Sequence, residues 1–368
     1  MNYSERQRRL AALALACCVL AASEGAPAAE AKRSEQRRVP ARQLAQLTVE
    51  NPAGNIELQG EAREDLELTV QYRVWGGSAD AVRAAIGKLR IDVLEQDGRL
   101  RLRPMHAERG IDGPRPSFLD GARLSIDMHL RLPAKLRTAA TVTRDRLVAL
   151  DLQGDLVLAA TSGDVEVRKL GGSLEAGVTS GILRISDVKG DVALTTTSGD
   201  LDLRRVQGRA VLQSVTGSMR VEQVMGDLEI ESTSGELLVT AVGGNLELIS
   251  GSGDVAIRKP GGDLRVNCAS GDLSVLDLGA PAGGRPRDVF LASSSGDVEV
   301  LLLPGTGFQL DVATDLGAMQ LRLPLQVEDV TRRHVSGRFG DGKGHLRVVT
   351  ATGDIRITLA RDTPRTTH

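Results

Sequence analysis

The side chains with the clearest chemistry in this chain sit one residue after a row of evenly spaced glycines. Every eighteen residues they run Asp155, Ser173, Asp191, Arg209, Asp227, Asn245 and Asp263. Carboxylates at a fixed period are the raw material of a calcium-binding roll, which needs several oxygens within ~2.3–2.6 Å of one ion. On strands stacked at ~4.8 Å, carboxylates on alternate rungs lie ~9–10 Å apart, too far to share an ion. The G-G-x-G-x-D code of that roll is also absent. Alternate spacing instead relieves like-charge repulsion and lets each Asp bond the amides of its turn. No metal site and no cofactor site is expected.

A second row consists of hydroxyls. Thr161, Thr179, Thr197, Val215 and Thr233 recur at the same period, with Ala159, Gly177, Thr195 and Gln213 beside them. Weak charge and small side chains predict a flat outward surface, and Thr161, Thr179, Thr195, Thr197, Val215 and Thr233 form the candidate partner-binding face. Solvated threonines chosen for strand propensity are the competing reading. An ice-binding array would need a threonine pair on every rung, and only Thr195 with Thr197 supplies one. A third row, Glu166, Arg184, Asp202 and Arg220, alternates in sign. It predicts ion pairs between neighbouring rungs, worth roughly a few tenths of a kcal/mol each.

Catalysis finds little material. His106, His129, His334, His345 and His368 are scattered, four of them in or beside irregular segments or termini. No Cys/His metal spacing, nucleophile elbow or phosphate loop is present. A single Trp75 and two Tyr offer few platforms for a sugar. No catalytic residues are expected, and the chain reads as a non-enzyme. A carbohydrate-active β-helix enzyme is the alternative, because acidic residues distant in sequence can meet in space. Cys268 takes the place of Ser214, Ser232 and Ser250 in their row, which reads as a small buried residue and not a reactive thiol.

All these rows hang on one scaffold. Fourteen glycines fall at an unbroken spacing of nine, from Gly154 to Gly271. A fixed short period means one unit stacked on itself. Each nonamer begins Gly, a polar residue, then two apolar residues separated by one position, the signature of one strand face. Glycine is expected to supply the positive φ of the turn. Two kinds of nonamer alternate. The first is apolar at positions three, five and eight (Leu201, Leu203, Val206). The second is apolar at three and five, with small or hydroxylated residues at seven and nine that should point inward (Leu228, Ile230, Ser232, Ser234). The expected fold is all-β: a parallel β-solenoid with 18-residue rungs built from two 9-residue halves, with a small α+β N-terminal cap. Ten to eleven rungs at ~4.8 Å predict a length of about 50 Å.

Around the repeats the chain divides as follows. Residues 1–28 read as a signal peptide: Arg6, Arg8 and Arg9, an apolar stretch from Leu10 to Ala22, and the cleavage candidate Ala26-Pro-Ala28. A lipobox ending at Cys17 is the competing reading. Residues 29–43 are charged and read as a flexible leader. The segment 44–133 reads as a cap with one opening repeat at 47–58, a strand at 65–74, a helix over 79–88 capped by Ser78, and a hairpin turning at Gln96-Asp97-Gly98. The repeat domain spans 134–360, with insertions near 280–286 and 324–343, the latter loop-like, and 361–368 is a tail. Aromatics make up only 2% of the chain, as suits a thin solenoid interior. A net charge of −2 gives no electrostatic case for nucleic acid. No segment of the mature chain is long and apolar enough to span a bilayer as a helix. One cysteine after the signal excludes a disulfide framework. Export to the periplasm or cell envelope is expected.

The code S-G-D-L-x-L-x-x-V-x-G-x-L-x-L-x-T-x-S-G-D resembles the bacterial putative adhesin family, a β-strand-repeat domain of unknown function. The opening L-T-V-E-N-P-A-G-N-I-E-L (47–58) and the closing G-K-G-H-L-R-V-V-T-A-T-G-D-I-R-I (342–357) are similar to that family as well. The resemblance runs over residues 44–359. It implies an exported envelope β-solenoid with adhesion or envelope-stress roles, and it brings no catalytic residues. The function expected from residues and resemblance together is a non-catalytic binding, adhesion or scaffold module for an envelope protein or glycan. A carbohydrate-active enzyme and a purely structural spacer are the alternatives.

Overall fold

Apolar residues two apart commit one side of a strand to burial, and a glycine every nine residues turns the chain before the next. In the computed structural model, which describes residues 29–360 except 108, 112–118, 120 and 281–284, each eighteen-residue repeat is one rung of two strands. Leu228–Ser234 followed by Leu237–Val242 is one such rung. Strands of the first kind of nonamer stack in parallel as a first sheet, and those of the second kind as a second sheet. The fold is a parallel β-solenoid, with one α-helix among the described residues, Ala79–Lys88. The chain divides into two compact units, Met1–Lys189 and Gly190–His368.

The interior follows the sequence pattern, and the backbone explains its odd spacing. Leu201, Leu203 and Val206 are each no more than 2% exposed. Position seven of the first-kind nonamer is left-handed throughout the unbroken glycine run: Lys169, Asp187, Arg205, Gln223, Ala241, Lys259 and Asp277 have φ between 52° and 61°. That step reverses the side-chain alternation, so position eight points inward where a regular strand would bury seven. A left-handed non-glycine residue costs about 1–2 kcal/mol. Burying a Val or Leu at position eight contributes about 1.5–3 kcal/mol and offsets it.

The second sheet corrects two expectations. Position seven is inward, with Ser214, Ser232, Ser250 and Cys268 all buried, but Ser198, Thr216 and Ser295 at position nine are exposed. Strand pairing passes from Ser232↔Ser250 to Ser234↔Ser252 and skips position eight, so the strand kinks there and position nine turns outward. The two glycine rows also differ in cause. Gly235 has φ 138°, and a Cβ there would overlap the Gly217 carbonyl. Gly226 takes no left-handed φ, yet a Cβ on it would lie 2.5 Å from the Gly208 carbonyl oxygen. The second-kind row is therefore glycine because the turns stack backbone on backbone, not because φ is positive.

In the first unit the opening rung is not at the end of the stack. Gln46–Asn51 lies between Arg99–His106 and Arg137–Val142. Ile56–Glu61 lies between Arg123–Pro133 and Leu147–Leu150. Beyond this, Asp65–Trp75 and then Glu30–Pro40 add antiparallel strands to the first sheet, and the hairpin strand Leu89–Gln96 closes the second. Ser78 caps the helix, its hydroxyl accepting from the Ala81 amide at 3.2 Å. Residues 30–40 are thus a full-length strand and not a flexible leader. Its alternation is of charge, not apolarity. Arg33 donates to the Ile86 carbonyl at 3.1 Å and to the Leu89 carbonyl, and lies 4.4 Å from the Tyr72 ring centroid. Its neighbour Glu35 accepts from the Tyr72 hydroxyl at 3.1 Å.

The second unit repeats the inversion at its far end. Gly344–Thr352 pairs with Asp288–Ser295 on one side and Phe308–Leu316 on the other. Ile355–Leu359 likewise separates Val298–Leu302 from Met319–Arg322. The last repeat in the sequence is therefore an inner rung. Residues 324–343 are not a loop: Leu325–Val330 and His334–Phe339 form an antiparallel hairpin on Phe308–Leu316. Leu325 and Val327 alternate with polar residues, but the strand is largely exposed on both faces and the alternation is too short to stand out in the sequence. After the insertion, the buried Arg287 donates to the carbonyls of Gly279 (2.8 Å), Pro260 (2.8 Å) and Gly261. Burial pulls its guanidinium below the usual arginine range.

Candidate functional site

The Asp rows act on the backbone. Asp155 accepts from the Ser173 amide (3.1 Å), Asp191 from Arg209 (2.9 Å), Asp227 from Asn245 (2.8 Å) and Asp263 from Asp288 (3.0 Å). Asn245 does the same for the Asp263 amide at 3.0 Å. Each side chain thus satisfies the first free amide of the next rung, as the sequence reading anticipated for turn amides. The Ser173 amide, and then Arg137 at 3.1 Å, hold the Asp155 carboxyl below the usual range. The row is consumed by this work.

The outward charges of the first sheet are also engaged, with partners other than those expected. Glu166 is a register neighbour of Arg184, but its carboxylate is taken by Arg146 and Arg168. Arg184 approaches Asp164 instead, at 3.8 Å. In the second unit, Arg204 pairs with Asp202 at 2.7 Å and reaches Glu222 at 4.0 Å. These charges are met by partners on their own side.

The outward side of the second sheet is different. In the first unit, Thr161 and Thr179 are exposed on the strands Leu156–Ser162 and Leu174–Ser180. In the second unit, Thr195, Thr197, Val215 and Thr233 are exposed on Val192–Ser198, Ala210–Thr216 and Leu228–Ser234. All six predicted residues therefore face water on second-sheet strands. Further along the second unit, position eight shrinks to Gly251, Ala269, Ser294 and Ala351, and the sheet is hollowed there by a depression of ≈ 540 Å³.

Beside it, on the same strands, lies a larger groove of ≈ 660 Å³. Its floor is one row of outward residues on successive rungs: Glu229, Glu247, Arg265, Phe290 and Arg347. Arg265 stands 5.8 Å from the Phe290 ring centroid. Glu229 is bound by Arg209 at 2.5 Å, and Arg347 lies 3.6 Å from Asp311. Glu247 makes no ion pair among the described residues. Asn245, Asp288 and His345 line the rim. Sequence reading missed Phe290, although the signal was present. It sits between the inward Val289 and Leu291, so it had to point outward.

Other reactive groups lie elsewhere. Cys268 is buried, and burial pushes its thiol up to about 11. His129 bonds Glu57 at 2.8 Å in the first unit. His334 lies between Asp311 (3.0 Å) and Asp329 (3.3 Å) in the C-terminal hairpin. Burial and then the Glu35 charge raise the Tyr72 hydroxyl. No helix among the described residues is long and apolar enough to cross a membrane. The expected signal peptide and Cys17 lie outside the described residues.

Comparison with known proteins bears on the fold more than on the groove. Residues 190–358 match the model of the Toastrack DUF4097 family, the portion of the resemblance that a family model carries. A solved putative cell adhesion protein from Clostridium sporogenes is 12% identical over 89% of this chain and 100% of its own, with a TM-score of 0.23. A putative adhesin from Bacteroides fragilis is 12% identical over 88% of this chain and 96% of its own, with a TM-score of 0.26. A putative lipid binding protein from Parabacteroides distasonis is 11% identical over 89% and 97%, with a TM-score of 0.25. At these values the likenesses carry no functional weight. No curated protein matches the chain.

Proposed function

We propose that this chain, whose residues 190–358 match the Toastrack model, serves as a non-catalytic binding or scaffold module, exported to the cell envelope, for an envelope protein or glycan. Its contact surface is the outward side of the second sheet. One observation carries this reading. Within the second unit, Asp202, Arg204 and Glu222 on the first sheet pair with one another, while the second sheet is hollowed by two adjoining grooves. The threonines at 161, 179, 195, 197 and 233, with Val215, extend the same kind of surface on their own strands. Glu229 and Glu247 lie on adjacent rungs but are both open to water, without the apolar enclosure that sets up a general acid.

Photo-crosslinkers at Thr179, Thr197 and Thr233, with controls at Arg220 and Arg258 on the first sheet, test the assignment. A discrete envelope species captured from the threonine positions and not from the controls is expected. Capture confined to the arginine controls overturns the choice of face.

A further inference from the structure

We infer that the larger groove of the second unit takes a neutral, hydroxyl-rich glycan chain. This rests on the binding-module reading above and narrows it to one class of occupant. Three features of the groove point that way.

The first is an aromatic platform. Phe290 is half-buried on the outward row, with the Arg265 guanidinium 5.8 Å over its ring, so it offers apolar surface to the groove instead of packing into the core. A pyranose has an apolar face of C–H groups that such a ring can cover.

The second is the chemistry around the ring. Going along the row, Phe290 is flanked by Arg265 on one neighbouring rung and Arg347 on the other, and Glu247 follows Arg265. Asn245 adds a carboxamide at the rim. These are flat groups, with guanidinium donors on both sides of the ring and a carboxylate acceptor on the rung beyond Arg265. Sugar hydroxyls both donate and accept, so they can use every member of the row.

The third is charge. The groove gathers Arg209, Arg265, Arg347 and His345 against Asp227, Glu229, Glu247, Asp263 and Asp288. Asp227 and Asp263 already accept rung amides, Glu229 already holds Arg209, and Arg347 lies beside Asp311. An amide hydrogen bond leaves a carboxylate charged, so the groove as a whole is net negative, with its positive groups gathered on both sides of the ring. A polyanion meets carboxylates along the whole groove, and a polycation meets the guanidinium groups beside the ring. A neutral polyhydroxylated chain meets no field to oppose it. The groove also runs across successive rungs, which suits an extended chain more than a compact metabolite.

The test uses the folded chain with cellohexaose, chitohexaose and maltohexaose as neutral probes, polygalacturonate as a polyanion, and an oligolysine peptide as a polycation. Titration calorimetry and ligand-observed NMR give the readout. At least one neutral hexasaccharide should bind, with an affinity that changes by less than about twofold between low and high salt, since the probe carries no charge to be screened. Phe290→Ala should weaken it about tenfold, the scale of one lost stacking contact. Arg265→Gln and Glu247→Gln should each weaken it severalfold, and all three positions face outward, so the variants should keep the parent melting temperature.

Binding of none of the neutral probes, or salt-sensitive binding of the polyanion or the peptide alone, overturns the glycan assignment. Neutral binding that Phe290→Ala leaves unchanged overturns the groove as its seat. Failure here, with crosslinking from the threonine positions intact, removes only this inference and leaves the binding module standing. Cleavage of a bound hexasaccharide, lost in Glu247→Gln, would uphold the occupant and overturn the non-catalytic reading.

Discussion

Across the rungs from residue 210 to residue 278, the first sheet shows water Arg220, Glu222, Thr240 and Arg258, while the second shows Glu229, Glu247, Ile249, Arg265 and Asn267. Both sheets line the same slot, and both bury Val, Leu and Ile at positions three and five. They part company at the strand ends. The first sheet bends through a left-handed residue at position seven and stops after six residues, as in Leu237–Val242. The second runs for seven, as in Leu228–Ser234, and exposes two consecutive residues at its kink. The shorter sheet carries short-range ion pairs, and the longer one has room for a hollow. Stacking constrains what points inward on both, and leaves the outward rows free to differ.

The strongest test of that division is an inward change on the first sheet. Leu203→Asp places a carboxylate at a fully buried position between rungs and should cost roughly 4 kcal/mol or more, enough to abolish cooperative unfolding in urea. A mild effect would mean that the slot admits water and the two sheets do not share a dry core. Next in size is Gly235→Ala, at the turn joining the two sheets. It combines a left-handed φ with overlap of the Gly217 carbonyl and should lose about 2–3 kcal/mol. Gly226→Ala, at the other turn, has the overlap without the φ penalty and should lose less.

The inward row of the second sheet gives a pH test of similar scale. The Cys268 thiol ionises at about 11 when folded, above its ordinary value near 9.0. The folded state therefore favours the protonated thiol. Its contribution is complete below pH 9 and is lost as pH rises towards 11, by roughly 2–3 kcal/mol. Melting temperature followed from pH 8 to 11 should show this fall, and Cys268→Ser should lack it. Smaller, and opposite in sign, is Ser232→Ala. The buried Ser232 hydroxyl makes no hydrogen bond within the chain, so its removal should stabilise by about 1 kcal/mol. A loss on this substitution would show that the serine row is hydrogen-bonded after all. Last comes Arg204→Ala on the outward side of the first sheet. Its pairs with Asp202 and Glu222 are part-exposed, and the change should stay within about 0.5 kcal/mol. A larger effect would erase the contrast between the sheets.

Much of this fold was written in the inward rows. Leu201, Leu203 and Val206 announced both a strand and its break, because position eight could be apolar only if the chain bent before it. What bends it was hidden, since Lys169, Arg205, Gln223 and Ala241 are not residues that advertise a left-handed φ. The serines at position seven were placed correctly and those at nine were not, because a kink leaves no periodic trace. The strand at 30–40 was masked by charge, as Arg33 and Glu35 find partners where an apolar residue would find a core. Rung order was illegible at both ends for a simpler reason: every rung carries the same code, and Leu346 fits against Val289 as well as Leu310 would. The six threonine-face residues could be placed outward from alternation alone. The groove could not, because its shape comes from how the outward side chains at position four differ from rung to rung and from Phe290, a lone aromatic without a repeat to flag it.

The interleaved ends have a consequence for how such a chain can lengthen. The final repeat, 344–359, is clasped between the two segments that precede it, so a rung added after residue 359 would find its place already occupied. The opening rung is enclosed in the same way by strands that follow it. Within the second unit, sequence order and stacking order coincide from Val192 to Leu302. Duplication of an eighteen-residue segment can be absorbed there without disturbing either clasp. The second unit is extensible along this stretch, ahead of the clasp that closes it.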